Sequence, residues 1–230
     1  MPTLAPSELL ARLGLPSTIH LGGFAGTISS IARVPLHLHE LDAALDGGLP
    51  RGQLSEIVGP SSCGKTALLY ALLATGTARG EVVALVDLAD AFSPSAAAAA
   101  GIDLARTLWI RPASVRDALR CAELLLEASG FGAVAVDLGT AARGARVGTG
   151  AGLRLARAAK RSEAAVVLLA DERVAGTFAA LGLALRPLRQ HWSRHGCGPN
   201  LFDGFEAEAV LVRNKFGAPR RATTVRVAAR

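Results

Sequence analysis

The sequence predicts an α/β fold in which a mostly parallel sheet is flanked by helices and ends in an antiparallel edge. Short apolar runs alternate along the chain with stretches of helical pattern, the order expected of parallel strands joined by crossover helices. Several runs are continuously hydrophobic, as strands buried on both faces are. The last two strand patterns, Ala207–Asn214 and Thr223–Val227, are joined by a short turn segment, which predicts the antiparallel edge.

The first strand of this sheet is predicted at Leu54–Val58, and a glycine-containing loop and a helix from about Ala67 follow it. The loop fits G-x-x-x-x-G-K-[ST], whose glycines let the backbone wrap around a phosphate at the positive end of the helix dipole. Lys65 is expected to reach the outer phosphates, and Thr66 to hold Mg²⁺. An ordinary glycine-rich turn is the alternative, and the agreement of motif and flanks argues against it. The predicted phosphate-binding residues are Gly59, Pro60, Ser61, Ser62, Cys63, Gly64, Lys65 and Thr66.

The remaining elements continue the alternation of strands and helices. Asp137 ends an apolar strand downstream of the loop, which is the position that binds the nucleotide's Mg²⁺ in proteins with this loop.

The segment Leu188–Glu208 contains His191, Trp192, His195 and Cys197, and because no known metal-ligand spacing fits, it favours a structural hairpin over a metal site. Further strands are predicted at Glu81–Leu88, Leu108–Ile110, Ala133–Asp137 and Val166–Asp171, and helices at 94–100, Ser114–Ser129, Leu153–Ala165 and Gly176–Leu185.

Basic residues concentrate in the second half of the chain. Gly139–Gly152 is predicted to be a flexible basic loop, and the helix after it repeats basic residues on one face. A solvated helix face is the alternative to a surface that contacts a phosphate backbone. The residues predicted to contact DNA here are Arg143, Arg146, Arg154, Arg157, Lys160 and Arg161.

Composition limits the class of protein. The 230 residues suffice for one α/β domain, predicted at 36–230 after an N-terminal arm at 1–35. The net charge of +6 favours polyanionic partners. A GC-rich genome, in which arginine codons are common throughout, explains the same charge equally well. The three widely spaced cysteines predict a reducing cytoplasm, and neither a signal peptide nor a membrane span is expected.

Three segments carry patterns that resemble the RecA recombinase family: Leu41–Gly52, Glu56–Thr66 and Val212–Pro219. The first reads LDAALDGGLPRG and the last VRNKFGAP, and P-loop proteins at large lack both. The resemblance covers most of the chain from Leu41 onward. It implies a RecA-like P-loop core without a separate C-terminal domain, ATP and Mg²⁺ as ligands, and a homo-oligomer in which Arg213 and Lys215 reach the neighbour's nucleotide.

Departures from the family pattern weaken the implied hydrolysis. The glutamate that activates water in recombinases is replaced by Ala89, and Asp90, one residue away and shorter, is the candidate substitute. The ring that stacks on adenine is replaced by Ala96. The glutamine that senses the γ-phosphate is replaced by Asp171, with Arg173 nearby. The resemblance therefore implies a kept phosphate site with doubtful ATP affinity, and loss of a general base typically removes on the order of 10²–10⁴ in rate.

This combination is most similar to the ImuA group of the family, which is related to both RecA and the cell-division inhibitor SulA. It implies a non-recombinase regulator of damage-induced (SOS) translesion synthesis, mutagenesis and repair. The implied partners are RecA, an ImuB-type inactive Y-family polymerase, an error-prone C-family DNA polymerase and single-stranded DNA, with no membrane. Arg173, beside a second DNA-binding loop shortened to about Val174–Thr177, joins the residues implied to contact DNA.

Two other functions stay open. In a compact DNA-dependent ATPase or recombinase, Asp90 or Asp171 would replace the missing glutamate, and strand exchange between homologous duplexes would identify it. A cell-division inhibitor would bind the FtsZ division protein directly and cause filamentation on overexpression.

Overall fold

The computed structural model describes residues 31–193, 201–217 and 222–228. The predicted arm at 1–35 lies outside these residues except for its last five, and His195 and Cys197 also lie outside them. The described residues from Ala32 onward belong to one compact unit. Among the described helices, none has both the length and the apolar character needed to cross a membrane.

An eight-stranded sheet forms the centre of the fold. The strands of the described residues are, in chain order, β1 at Arg33–Val34, β2 at Leu49–Pro50, β3 at Gln53–Val58, β4 at Val82–Asp87, β5 at Thr107–Ile110, β6 at Phe131–Asp137, β7 at Ala165–Ala170, β8 at Leu181–Ser193, β9 at Leu201–Asn214 and β10 at Ala222–Ala228. The order across the central sheet is β10-β9-β8-β3-β7-β6-β4-β5. The pairs from β8 to β5 are parallel, whereas β8 pairs with β9, and β9 with β10, in antiparallel fashion. The predicted mostly parallel sheet with an antiparallel C-terminal edge is therefore confirmed. A separate antiparallel pair joins β1 to β2.

Helices connect the strands and cover both faces of the sheet. Local sequence signals start several of them: the Ser114 hydroxyl accepts a hydrogen bond from the amide of Asp117 at 3.1 Å, and Pro94 occupies a first-turn position that needs no amide donor. The helices are α1 at His39–Ala44, α2 at Lys65–Ala78, α3 at Pro94–Ala99, α4 at Val115–Ala128 and α5 at Thr149–Ser162, with short 3₁₀ turns at Leu104–Arg106 and Gly139–Ala142.

Each central strand contributes to two apolar cores because its side chains alternate between the faces of the sheet. In β4, Val83 and Leu85 pack with α2, whereas Ala84 and Val86 pack with α4 and α5. A strand buried on both faces is apolar at most positions, which explains the continuous hydrophobic runs of the sequence. The two cores hold the carboxyl ends of the parallel strands at one edge of the sheet, where ligands bind in folds of this type.

Two local predictions differ from the structure. Gly176–Leu185 is not a helix, because β8 begins at Leu181 and lies parallel to β3. Leu181, Leu183 and Leu185 alternate into the core that holds α2, which is a strand period. In addition, α5 begins at Thr149, inside Gly139–Gly152, the segment predicted to be a flexible basic loop.

Candidate functional site

The phosphate-loop motif lies between β3 and α2, as the sequence predicts, and its two glycines are required by close contacts. At Gly59, with φ of +157°, an added Cβ would come within 2.5 Å of the carbonyl oxygen of Leu185. At Gly64, with φ of +101°, it would come within 2.7 Å of the ring of Phe205. Gly64 also ends the loop, because α2 begins at the next residue. The loop therefore packs tightly under β8 and β9.

A cavity of about 720 Å³ opens beside the loop. Its wall is built from the loop, from residues that follow β4, β6 and β7, and from the β8–β9 hairpin. This volume lies within the range of small-molecule sites in proteins. Seven of the eight predicted phosphate-binding residues, Pro60 to Thr66, line this one cavity together with Asp137 and Asp171.

Lys65 lines the cavity and is held by an internal carboxylate. Its Nζ donates to Oδ1 of Asp171 at 2.9 Å, and it also contacts the carbonyl oxygens of Gly59 and Pro60. The other oxygen of Asp171 accepts from Arg143, with the guanidinium Nε at 3.1 Å and a terminal nitrogen at 2.9 Å. The hydrogen bond from Lys65, strengthened by Arg143, lowers the pKa of Asp171 despite the opposing effect of burial. Asp171 is therefore held as an anion between two cations.

Sheet register explains this ion pair. Val58, the last residue of β3, is paired with Ala170, the last residue of β7. The residues that follow these strands, Gly59 and Asp171, consequently leave the sheet side by side. A side chain at 171 thus meets the lysine that folds back over Gly59.

Asp137 and Thr66 are the residues predicted to bind Mg²⁺. Both line the cavity, and one Asp137 oxygen accepts from the amide of Gly139 at 2.9 Å. Burial raises the pKa of Asp137, and the charge of Asp87, its partner in the β4–β6 register, adds to this effect despite the Gly139 hydrogen bond. A divalent cation would relieve this crowding of negative charge, and Mg²⁺ commonly binds one carboxylate together with nucleotide phosphates. These two residues therefore fit the ion, which would screen the phosphate charge.

The segment after β4 places Ala89 at the cavity and Asp90 at the surface. Ala89 lines the wall and contributes only a methyl group. The side chain of Asp90 is 68% exposed and lies 3.6 Å from Arg111. Asp87 stabilises the turn of this segment, because its carboxylate accepts hydrogen bonds from the amides of Ala91 at 3.2 Å and of Phe92 at 3.0 Å. The role of Asp90 as a substitute base stays a prediction, and its exposure does not favour it.

Cys63 is buried in the loop. Burial raises the pKa of its thiol, and the nearby Lys65 opposes that effect only in part. A raised pKa disfavours the thiolate, so Cys63 serves as a small residue that fills the space beside Gly59.

Arg213 and Lys215, predicted to reach a neighbour's nucleotide, lie at the end of β9 away from this chain's own cavity lining. The Arg213 guanidinium donates to the carbonyl oxygens of Ala179 at 2.6 Å and Thr177 at 3.2 Å. Burial lowers the pKa of Lys215, and the adjacent Arg213 adds to that effect. Their role across an interface stays a prediction.

The basic residues predicted to contact DNA divide into two groups. Three of them bind internal carboxylates: Arg143 binds Asp171, Arg154 binds Glu123 at 2.7 Å, and Arg173 binds Glu56 at 3.1 Å. The other residues are exposed on the basic loop and on α5. These exposed residues are Arg146, Arg157, Lys160 and Arg161.

Glu56 and three aromatic residues are functional candidates that sequence reasoning did not assign. Glu56, fully buried in β3, accepts from the amides of Val174 and Ala175, both at 2.6 Å. It thereby shapes the short loop after β7. The one charged residue of β3 was the signal available in the sequence. The aromatic residues Trp192, Phe202 and Phe205 line the cavity from the hairpin.

Comparisons with known proteins agree with this architecture. The chain is 34% identical over 135 residues to Protein RecA of Acholeplasma laidlawii, and 37% identical over 137 residues to Protein RecA of Chlorobium chlorochromatii. These alignments cover 58% of this chain but only 40% and 38% of the relatives, so the chain spans about two fifths of their length. The crystal structure of the RadB recombinase superposes with a TM-score of 0.65 at 23% identity, over 84% of this chain and 96% of that one, and shares its fold.

A family-level match covers the segment that carries the phosphate loop and Asp137. The sequence profile of the RecA N-terminal domain matches residues 5–147, which is more than half of the chain. This chain belongs to the RecA N-terminal domain family.

Proposed function

We propose that this protein is a RecA-like regulator of DNA-damage-induced translesion synthesis and repair in the cytoplasm, not a recombinase. It binds ATP with Mg²⁺ weakly, hydrolyses it slowly or not at all, and acts through protein partners and single-stranded DNA. The observation that carries the proposal is the ion pair between Lys65 and Asp171. It commits the phosphate-binding lysine to an internal anion.

Weak nucleotide binding follows from competition for Lys65. A terminal phosphate binds Lys65 only when the ion pair between Lys65 and Asp171 breaks. The phosphate and the Asp171 carboxylate, both anions, also repel each other in this partly buried site. The side chains of Lys65 and Asp171 are only 13% and 7% exposed, so water screens the pair poorly. Arg143, already bound to Asp171, offers a second cation that reduces the repulsion.

Weak hydrolysis follows from the residues around the expected position of the attacking water. Ala89 has no group that can accept a proton, and Asp90 points to the surface beside Arg111. Asp137 lies with Thr66, where its carboxylate serves the metal ion. Without a positioned base, turnover falls by on the order of 10²–10⁴ relative to an enzyme that has one.

The partners are proposed from the resemblance to the ImuA group, supported by family membership and by the exposed basic face of α5. They are RecA, an ImuB-type polymerase relative and an error-prone C-family polymerase. A basic face suits the phosphate backbone of single-stranded DNA, whose contacts weaken as salt rises.

Binding and turnover are measured separately to test the proposal. Equilibrium binding of labelled ATP with Mg²⁺ should be detectable and should be lost in Lys65→Ala, whereas the control Arg79→Ala, changed at an exposed arginine beyond α2, should bind normally. Single-turnover hydrolysis with single-stranded DNA should be slow in all three proteins. Purified ImuB-type polymerase relative should bind the wild-type protein in the same buffer.

The DNA-dependent ATPase alternative predicts the opposite kinetics. Robust DNA-stimulated turnover that Lys65→Ala abolishes would contradict the proposed regulator and favour the enzyme. Strand exchange between homologous duplexes would then separate a recombinase from a simple ATPase.

A further inference from the structure

Three aromatic residues of the β8–β9 hairpin form one wall of the phosphate-loop cavity. Phe205 lies directly above the loop, because a Cβ added to Gly64 would come within 2.7–2.8 Å of two atoms of its ring. Trp192 and Phe202 continue this wall along the hairpin, with ring centroids 5.1 Å apart and planes inclined at 64°. The phosphate cradle and an aromatic surface thus face the same space.

A bulge in β9 places these rings together. His191 is paired with Gly204 and Trp192 with Phe202, so Asp203 is the extra residue of the pair. Residues three apart in a regular strand point to opposite faces, whereas one extra residue returns Phe202 to the face of Phe205. Gly204, with φ of +142°, takes a conformation at the bulge that favours glycine.

The rings are open to a ligand. Trp192 is 55% exposed and Phe202 is 42% exposed, although both are large apolar side chains. Exposed aromatic surface beside a polar cavity typically marks a binding site. Gln190, on the same wall, adds an amide that can donate and accept hydrogen bonds at the edge of a flat ring.

The family's usual base-stacking position lies elsewhere in this protein. Ala96, which replaces the recombinase ring, borders a different cavity together with Tyr70 and Ala71. A ligand that places its phosphates on Lys65 therefore meets Trp192 and Phe202 in the cavity that the phosphate loop lines.

We propose that Trp192 and Phe202, backed by Phe205, bind the base of a nucleoside triphosphate whose phosphates lie in the loop. The inference rests on the proposed nucleotide binding and adds how the base is recognised: side chains of the β8–β9 hairpin contact it. A flat aromatic head joined to an anionic tail is the ligand class that satisfies both walls of the cavity. Base–aromatic stacking contributes affinity to any base, so the site holds nucleotides more tightly than bare phosphates.

Titration calorimetry with two probes in Mg²⁺ buffer tests this assignment: ATP, and inorganic tripolyphosphate, which has no base. Trp192→Leu and Phe202→Leu should each weaken ATP binding by about 5- to 150-fold and leave tripolyphosphate binding unchanged. Trp192→Phe, which keeps a ring, should bind ATP nearly as the wild type does. Leu188→Ala, at a 55% exposed residue of β8 outside the cavity lining, is the matched control and should bind both probes normally.

The outcomes separate the base wall from the phosphate loop. Wild-type protein that binds ATP no more tightly than tripolyphosphate overturns the base wall and leaves the phosphate site standing. Leucine variants that weaken both probes equally, or neither, also overturn it. Wild-type protein that binds neither probe removes the proposed nucleotide binding and this inference together. Lys65→Ala should weaken both probes.

Discussion

The side-chain nitrogen of Lys65 lies 2.9 Å from Oδ1 of Asp171, in the place where a bound nucleotide would present its terminal phosphates. The two residues are 106 positions apart in sequence and are brought together by the β3–β7 register. Asp171 and a phosphate therefore compete for one cation, so any change that frees Lys65 favours the nucleotide. This relationship makes residue 171 the most informative position for testing the site.

Asp171→Asn is expected to tighten ATP binding. The amide cannot neutralise Lys65 and does not repel phosphate. The affinity should therefore rise by about 10- to 150-fold, which corresponds to about 1.5–3 kcal/mol for a charged hydrogen bond. Calorimetric titration of ATP with Mg²⁺ into both proteins measures the difference. Hydrolysis should stay slow, because the substitution adds no base.

Asp171→Glu is the matched control for that change, because it keeps the negative charge and alters only its reach. Its ATP affinity should remain close to that of the wild type. If the asparagine and glutamate variants bind ATP equally, then charge competition for Lys65 is not what limits the affinity.

Asp137→Asn should stabilise the ligand-free protein at neutral pH. Burial raises the pKa of Asp137 above its unfolded value of about 4, so the ionised carboxylate costs stability when the pH lies above the raised value. That cost fades as the pH falls through the folded-state pKa toward the unfolded one. Urea unfolding at a series of pH values from 8 down to 4 should therefore show a gain that shrinks with acidity.

Saturating Mg²⁺–ATP should reverse the order of these two proteins, because only the wild type offers the carboxylate to the metal. Asp90→Asn, at an exposed residue, is the control and should leave the unfolding free energy unchanged at each pH. A gain for Asp137→Asn that persists equally at pH 4 would contradict the assigned cause.

The phosphate loop and Asp137 were predictable because their signals are local. The motif, the strand before it and the helix after it occupy one short stretch, and a continuous apolar run ending in Asp137 marks a buried strand whose end lies at the ligand edge. The Lys65–Asp171 pair was not predictable. It depends on which strands are neighbours and on their register, and no local pattern encodes either.

The aromatic wall was missed for a related reason. Trp192 and Phe202 meet only because a bulge at Asp203 shifts the pairing of β8 and β9 by one residue. The helix predicted at Gly176–Leu185 compounded the error, because it removed the start of β8 from the sheet. The alternating leucines at 181, 183 and 185 indicated a strand, but alanine-rich neighbours masked that period.

Glu56→Gln is expected to destabilise the protein by about 1–3 kcal/mol. The carboxylate is fully buried and accepts two amide hydrogens at 2.6 Å, and it neutralises Arg173. Glutamine has only one accepting oxygen. When that oxygen accepts from the two backbone amides, the NH₂ group faces the Arg173 guanidinium, and two donors then oppose each other. Urea unfolding measures the loss, and hydrogen exchange at Val174 and Ala175 should quicken by more than at core amides.

Glu172→Gln, an exposed change in the same loop, is the control for Glu56 and should leave both readouts unchanged. A Glu56→Gln protein with unaltered stability would show that the buried carboxylate does not hold the loop.

Reversing the charge of Lys160 and Arg161 together should weaken binding to single-stranded DNA. Both side chains are exposed on α5, and neutralised phosphates contribute about 0.7 each to the salt slope for single strands. The double glutamate variant should lower the slope of log affinity against log salt by more than one, in fluorescence anisotropy with a labelled oligonucleotide.

The double variant Arg79→Glu/Arg106→Glu carries the same charge change at exposed sites near the amino ends of β4 and β5. Because α5 covers the opposite face of the sheet from α2, that control should keep the wild-type slope, and equal losses in both proteins would reduce the effect to net charge.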